Sequence, residues 1–311
     1  MMLATQYIVG QLNGPLQQLI AFIRSAQDAK ISMERLSEIQ QQPDEEELLQ
    51  KGTNNTTTLL QQEVATDADI HLKNCSFKYN ALSDEVLKNI NLTILSGRVT
   101  AIVGTSGSGK TTLIKLLLGF YRPTKGDVFI GKQPLAQIAP SLWRTHCGVV
   151  MQDGFVFSDT IANNIAESSE RIDREQLIEA VQIANIQDFI EDLPLGYNTM
   201  IGAKGNGLSQ GQRQRLLIAR AAYKNPDFLF LDEATNALDA NNERTIVENL
   251  QQFYQNKTVI VVAHRLSTVK HADQIIVLEK GEVVEIGTHA DLVKSQGSYF
   301  HLVKNQLELG S

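Results

Sequence analysis

The sequence predicts an α/β domain built on a mainly parallel central sheet. Three observations predict it. An apolar run, Val99 to Val103, enters a glycine-rich loop that ends in an apolar helical run, Leu113 to Leu118. A second run, Phe228-Leu229-Phe230-Leu231, is apolar throughout, the pattern of a strand buried on both faces. Strand-like runs alternate with helical periodicity along the rest of the chain, the order that builds parallel sheets.

A chain of 311 residues can bury a substantial core, as one large domain or two smaller ones. The net charge of −7 offers no basic footprint for DNA or RNA. Cys75 and Cys147 are the only cysteines. Both sit in apolar strand-like stretches and read as buried thiols, not as a disulfide or a zinc site. The histidines form no H-E-x-x-H spacing. The N-terminal apolar stretch lacks the basic n-region of a cleavable signal peptide.

In chain order, the first charged side chain is Arg24. The stretch before it is fairly apolar but interrupted by Gln11, Asn13, Gln17 and Gln18, and Gly14-Pro15 would kink a helix. A helix is predicted from Gln17 to Ile39. It is either an amphipathic helix packed on a soluble domain or the cytoplasmic end of a bundle helix with partners outside this chain. Residues 41–66 read as a polar linker, because acidic and Thr/Asn runs without periodicity cannot build a core. A domain is expected to begin near Asp67. Strands are predicted at Asp69 to Tyr79, Val86 to Leu95, Gly126 to Ile130, Cys147 to Met151, Phe228 to Leu231 and Thr258 to Val262. Two more, Gln274 to Leu278 and Val283 to Ile286, are joined at Lys280-Gly281. Helices are expected around Leu177 to Ala184, over 210–223, around Ile246 to Tyr254, and at the C-terminus.

Gly104-Thr105-Ser106-Gly107-Ser108-Gly109-Lys110-Thr111-Thr112 is the G-x-x-x-x-G-K-[ST] phosphate-binding loop in its strand–loop–helix context. The glycines let successive backbone N–H groups point at an anion, and the helix N-terminus adds positive potential. Lys110 would reach the β- and γ-phosphates of ATP, and the Thr111 hydroxyl is placed for Mg²⁺. The strand Phe228 to Leu231 ends in Asp232-Glu233. These residues could cap a helix N-terminus. Beside a phosphate loop, Asp232 is expected to hold Mg²⁺ through water and Glu233 to polarise the attacking water.

At these residues the chain resembles the nucleotide-binding domain of ABC transporters. Leu208-Ser209-Gln210-Gly211-Gln212 is similar to the family signature, usually Leu-Ser-Gly-Gly-Gln, although Ser209 taken alone is an N-cap. The resemblance spans about 67–306. It implies a P-loop NTPase fold with an antiparallel β subdomain and a helical subdomain near 153–222, preceded by a helical remnant of a membrane domain over 1–40. It implies that Gln152 is the glutamine that reaches Mg²⁺, that Asn236-Ala237-Leu238-Asp239 is the D-loop, that His264 touches the γ-phosphate, and that Tyr79 stacks on adenine. It further implies a head-to-tail homodimer, in which the signature of one copy binds the γ-phosphate held by the other. A membrane-spanning partner domain and a place on the cytoplasmic face of the bacterial inner membrane are also implied.

The chain departs from the pattern at Gln210, which replaces a glycine, and at Ala203, where exporters of this type usually carry a glutamate. The signature variant, the D-loop and segments near the N-terminus resemble bacterial peptide and protein exporters of the bacteriocin or haemolysin type. The reading that follows is an ATPase driving export. Its alternatives are a lipid or drug exporter with the same engine, or a soluble ABC ATPase acting on DNA or ribosomes. The short span from Gln152 to Leu208 and the acidic charge disfavour the last.

Overall fold

The computed structural model describes residues 2–42, 63–167, 171–202, 207–234, 240–263 and 266–309. The chain separates into two compact units, 1–56 and 57–311. In the first, one helix, α1 (Met2–Gln40), continues through Pro15. The expected start at Gln17 is therefore too late. A proline removes one backbone N–H and crowds the preceding turn, but the turns on both sides keep their bonds and the helix does not end there. Among the described residues no helix is long and apolar enough to cross a membrane.

The second unit begins with β1 (Ile70–Phe77), β2 (Leu87–Ile94), β3 (Val99–Val103), α2 (Lys110–Leu117), β4 (Lys125–Ile130) and β5 (Gln133–Pro134). Then come α3 (Pro140–His146), β6 (Cys147–Val150), α4 (Ile161–Ile165), α5 (Arg174–Ile183), α6 (Gln187–Glu191) and α7 (Gln210–Lys224). The chain closes with β7 (Phe228–Asp232), α8 (Ala240–Phe253), β8 (Thr258–Val262), α9 (Leu266–Val269), β9 (Gln274–Glu279), β10 (Glu282–Gly287), α10 (His289–Ser295) and α11 (Ser298–Leu309).

The strands form two sheets. One has the order β2-β1-β4-β5 and is antiparallel. The other has the order β10-β9-β3-β8-β7-β6, parallel except for the edge strand β10. The expected mainly parallel sheet and antiparallel β part are both present.

Alternation along each central strand feeds two cores. Leu229, Leu231, Val259, Val261, Ile275 and Val277 face one side. Phe228, Phe230, Ile260, Val262, Ile276 and Leu278 face the other. This double burial is why the strands read as unbroken apolar runs. The first core is completed by α5 and α7, the second by α2 and the antiparallel sheet. Trp143 of α3, 1% exposed, donates Nε1–H to the Leu117 carbonyl at the end of α2 at 3.0 Å. Both cysteines are buried free thiols.

The β9–β10 hairpin turns at Lys280 (φ 48°) and Gly281 (φ 85°), the left-handed pair that a two-residue turn of this twist requires. Its tip meets the glycine-rich loop, because the Gly281 N–H donates to the Ser108 carbonyl at 3.2 Å.

Candidate functional site

The parallel sheet gathers the site at one end of its strands. In the parallel sheet Ile102 lies opposite Val262, Asp232 opposite Val262, and Val150 opposite Leu231. The segments leaving β3, β6, β7 and β8 therefore all emerge at the C-terminal ends of the strands, where open α/β sheets bind ligands. Those segments carry the glycine-rich loop, Gln152, Asp232-Glu233 and Ala263.

The loop has a buried base and an exposed crown. Gly104, Ser108, Gly109, Lys110 and Thr112 are buried, Thr111 is half-buried, and Thr105, Ser106 and Gly107 are exposed. Gly104 has a φ of 154°, and a Cβ there would collide with the Leu278 carbonyl oxygen. Only glycine lets the loop pass this close to β9. The Lys110 ammonium folds back to donate to the carbonyls of Gly104 at 2.9 Å and Thr105 at 3.0 Å. Burial lowers its pKa, while attraction to Glu233 and Asp232 opposes the shift.

Asp232 is 1% exposed, and neither of its carboxylate oxygens has a hydrogen-bond partner. Burial pushes its pKa up. The Thr111 hydroxyl nearby counters this, the Glu233 charge adds to it, and Lys110 and Lys115 counter it. An unpartnered buried carboxylate beside a threonine hydroxyl fits a hard cation with oxygen ligands. Magnesium typically takes one or two protein carboxylates and completes its shell with water and phosphate, so a larger acidic cluster is not required.

Glu233 follows on a left-handed backbone, φ 54°. Its N–H donates to the Val262 carbonyl at 3.1 Å, and its own carbonyl accepts from Gln214 Nε2 at 2.8 Å. Gln152 is exposed, just past β6. Tyr79 lies just past β1, 47% exposed, with its ring edge-on to Phe77 and Tyr121 at centroid distances of 5.0 and 5.4 Å.

The segment Leu208 to Gln212 opens α7. Ser209 accepts from the Gln212 N–H at 3.2 Å, and the Gln212 side chain accepts from the Ser209 N–H at 2.9 Å, a complete capping box. The N–H groups of Gln210 and Gly211 precede the first intrahelical bond, from Arg213 to the Ser209 carbonyl. The Ser209 oxygen accepts within the cap, so its own O–H can still donate outward. Gln210 is exposed.

Residues 87–236 match the ABC transporter family. The chain is 43% identical over 307 residues to the leukotoxin translocation ATP-binding protein LktB of Mannheimia glucosida. It is 42% identical over 308 residues to the exotoxin translocation ATP-binding protein PaxB of Pasteurella aerogenes. These alignments cover 98% and 99% of this chain but 42% of each relative, so the chain spans about two fifths of their length. A bacterial Atm1-family ABC exporter, solved with ATP bound, superposes with a TM-score of 0.74 at 38% identity, over 77% of this chain and 42% of that one.

Residues 87–236 belong to the ABC transporter family. This stretch holds the phosphate loop at β3–α2, the Asp-Glu strand at β7 and the expected signature segment at the start of α7. The expected D-loop residues Asn236, Ala237, Leu238 and Asp239 lie outside the described residues, as do His264 and Ala203.

Two arrangements in this ABC domain escape the motif reading. The first is Gln214, which in sequence is one more polar residue in Arg213-Gln214-Arg215. Its spacing from Leu217, Ile218 and Ala221 puts it on the buried stripe of α7, and that was the available signal. The second is the staple on the segment after Gln152. Asn164, fully buried, donates Nδ2–H to the carbonyls of Phe157 and Thr160, each at 3.0 Å, and accepts from the Phe157 N–H at 2.8 Å. Arg220 of α7 donates to the Asn164 carbonyl at 2.7 Å and the Phe155 carbonyl at 2.9 Å.

Proposed function

We propose that this chain is the ATP-hydrolysing module of an ABC exporter, working as a head-to-tail homodimer with a membrane-spanning partner domain. The observation that carries it is the buried Asp232 carboxylate, unpartnered at the rim of a phosphate loop whose lysine is already turned inward. Residues 67–306 form the ATP-binding domain, with the helical subdomain at about 153–222. Residues 41–66 form a linker, and residues 1–40 are the end of a membrane-domain helix.

ATP sits on the loop, with Tyr79 against the adenine and the N–H groups of 104–112 around the phosphates. Thr111, Asp232 and Gln152 hold Mg²⁺, Asp232 through water. Bound there, the ion neutralises charge on the phosphate oxygens. Glu233 accepts a proton from the attacking water, with His264 at the γ-phosphate. Ser209 and the N–H groups of Gln210 and Gly211 bind the γ-phosphate held by a second copy, so each site is completed in trans. The printed names of the relatives concern leukotoxin and exotoxin translocation, which favours a peptide or protein cargo over a lipid or drug. The module then lies at the cytoplasmic face of a bacterial inner membrane.

The test is the Glu233→Gln variant of the full 311-residue chain. It should bind MgATP, hydrolyse it slowly and elute as a dimer only when ATP is present. An elution position that ATP leaves unchanged, in buffer and in detergent, counts against the trans site.

A further inference from the structure

A left-handed backbone such as that of Glu233 is one a glycine adopts freely and a glutamate adopts at a cost. It persists only where the surroundings over-determine it. Here two hydrogen bonds do so. The Glu233 N–H is tied to Val262 at the end of β8, and the Glu233 carbonyl to the Gln214 amide on α7. The first bond fixes the peptide plane before the Glu233 Cα, and the second fixes the plane after it. With both planes held, φ and ψ are set, and the direction of the Cα–Cβ bond follows. Gln214 is 8% exposed, so water competes poorly for its amide.

We propose that Gln214 is a positioning residue for ATP hydrolysis, holding the Glu233 main chain in its left-handed form and so aiming the Glu233 carboxylate at the attacking water. This rests on the reading of Glu233 as the proton acceptor. It also places the aim of that carboxylate under the control of α7, the helix that Ser209 caps. A shift of α7 relative to β7 would release the carbonyl and unaim the base, with the phosphate loop untouched.

Gln214→Met keeps the side-chain length and removes the donor. In the full chain its kcat should fall by about tenfold to a hundredfold, the scale on which a misplaced catalytic group acts. KM and the affinity for a fluorescent ATP analogue should change by less than about twofold, because ground-state contacts are intact. Gln214→Leu, apolar and close in volume, should behave alike, since it too has no donor. The deciding arm uses the Glu233→Gln background. There Gln214→Met should cost less than about twofold, because no base remains to be aimed.

Equal losses in the two backgrounds overturn the proposal, and so does an unchanged kcat for either Gln214 variant. A parallel loss of ATP affinity, or failure of both variants to fold, makes the role structural and overturns it too. Wild-type turnover in Glu233→Gln alone is a separate failure, which removes Glu233 as the base.

Discussion

The Tyr79 hydroxyl lies 2.9 Å from the Thr112 hydroxyl. One end of an exposed aromatic ring is thereby tied to the first turn of the phosphate-loop helix, while Phe77 and Tyr121 bracket its edge. The ring is 47% exposed and held at its hydroxyl end, which suits the stacking on adenine proposed for it.

Tyr79→Ala should weaken ATP and GTP alike by on the order of 1–3 kcal/mol, the range for a base stacked on an aromatic side chain. Tyr79→Phe keeps the face and loses only the tether, worth about 0.5–1.5 kcal/mol for a single hydrogen bond. Titration calorimetry of both variants with both nucleotides checks this. Full affinity in Tyr79→Ala rejects the stacking role.

Lys110→Ala removes the cation that spans the loop between the Gly104 and Thr105 carbonyls and would meet the β- and γ-phosphates. ATP affinity should fall at least about tenfold, as expected for a lost charge-assisted bond. Hydrolysis should fall to the background rate. A phosphate-release assay on purified protein decides, and undiminished turnover would sink the loop assignment.

Asp232→Asn should separate stability from activity. Burial raises the Asp232 pKa above that of an unfolded carboxylate, so at intermediate pH the folded chain holds more protons than the unfolded one. Its ionisation then costs stability. The cost is absent below the unfolded value near pH 4, grows as pH rises toward the folded value, and is constant above it. Without nucleotide, the asparagine variant should therefore gain stability over the parent as pH rises from about 4, while losing Mg²⁺-dependent hydrolysis. Thermal melts of both proteins across pH measure the gap. A gap that closes with rising pH contradicts the assignment.

Gly104→Ala should destabilise the domain by on the order of 1–3 kcal/mol, the cost of a side chain in a region that glycine dominates. The added methyl also meets the Leu278 carbonyl and the Ser108 hydroxyl, so loop or strand must shift. Urea unfolding should show the loss, and ATP affinity should fall with it. Unaltered stability shows that the loop passes β9 with room to spare.

Much of this was legible locally. The strand Thr258–Val262 has the bounds its apolar run predicts, and Phe228 to Leu231 needed only Asp232 added. The glycine loop with Lys110 is one contiguous motif and Asp232-Glu233 another, so sequence alone reads each of them, while the sheet order β3-β8-β7 brings the two together. α3 and α9 carry no long periodicity and were not anticipated. The predicted helix starts at Gln17 and α1 starts at Met2, because a breaker weighs more in a pattern than it does in a long helix. The tie of Tyr79 to Thr112 and that of Gln214 to Glu233 join residues 33 and 19 positions apart. Packing of α2 with the antiparallel sheet and of α7 on the parallel sheet brings them together, and no local pattern records it.

The strand that launches the phosphate loop is paired on both sides with partners made much later. Val99 lies opposite Val259 and Thr100 opposite Gln274, and the loop itself is touched by Gly281. During synthesis, residues 104–112 emerge from the ribosome long before any of these. A nascent chain stopped short of β8 has the motif but not the cradle, because pairing across so large a sequence separation comes slowly and only once both ends exist. The phosphate loop thus waits for β8 and β9 before it has the strands that hold it.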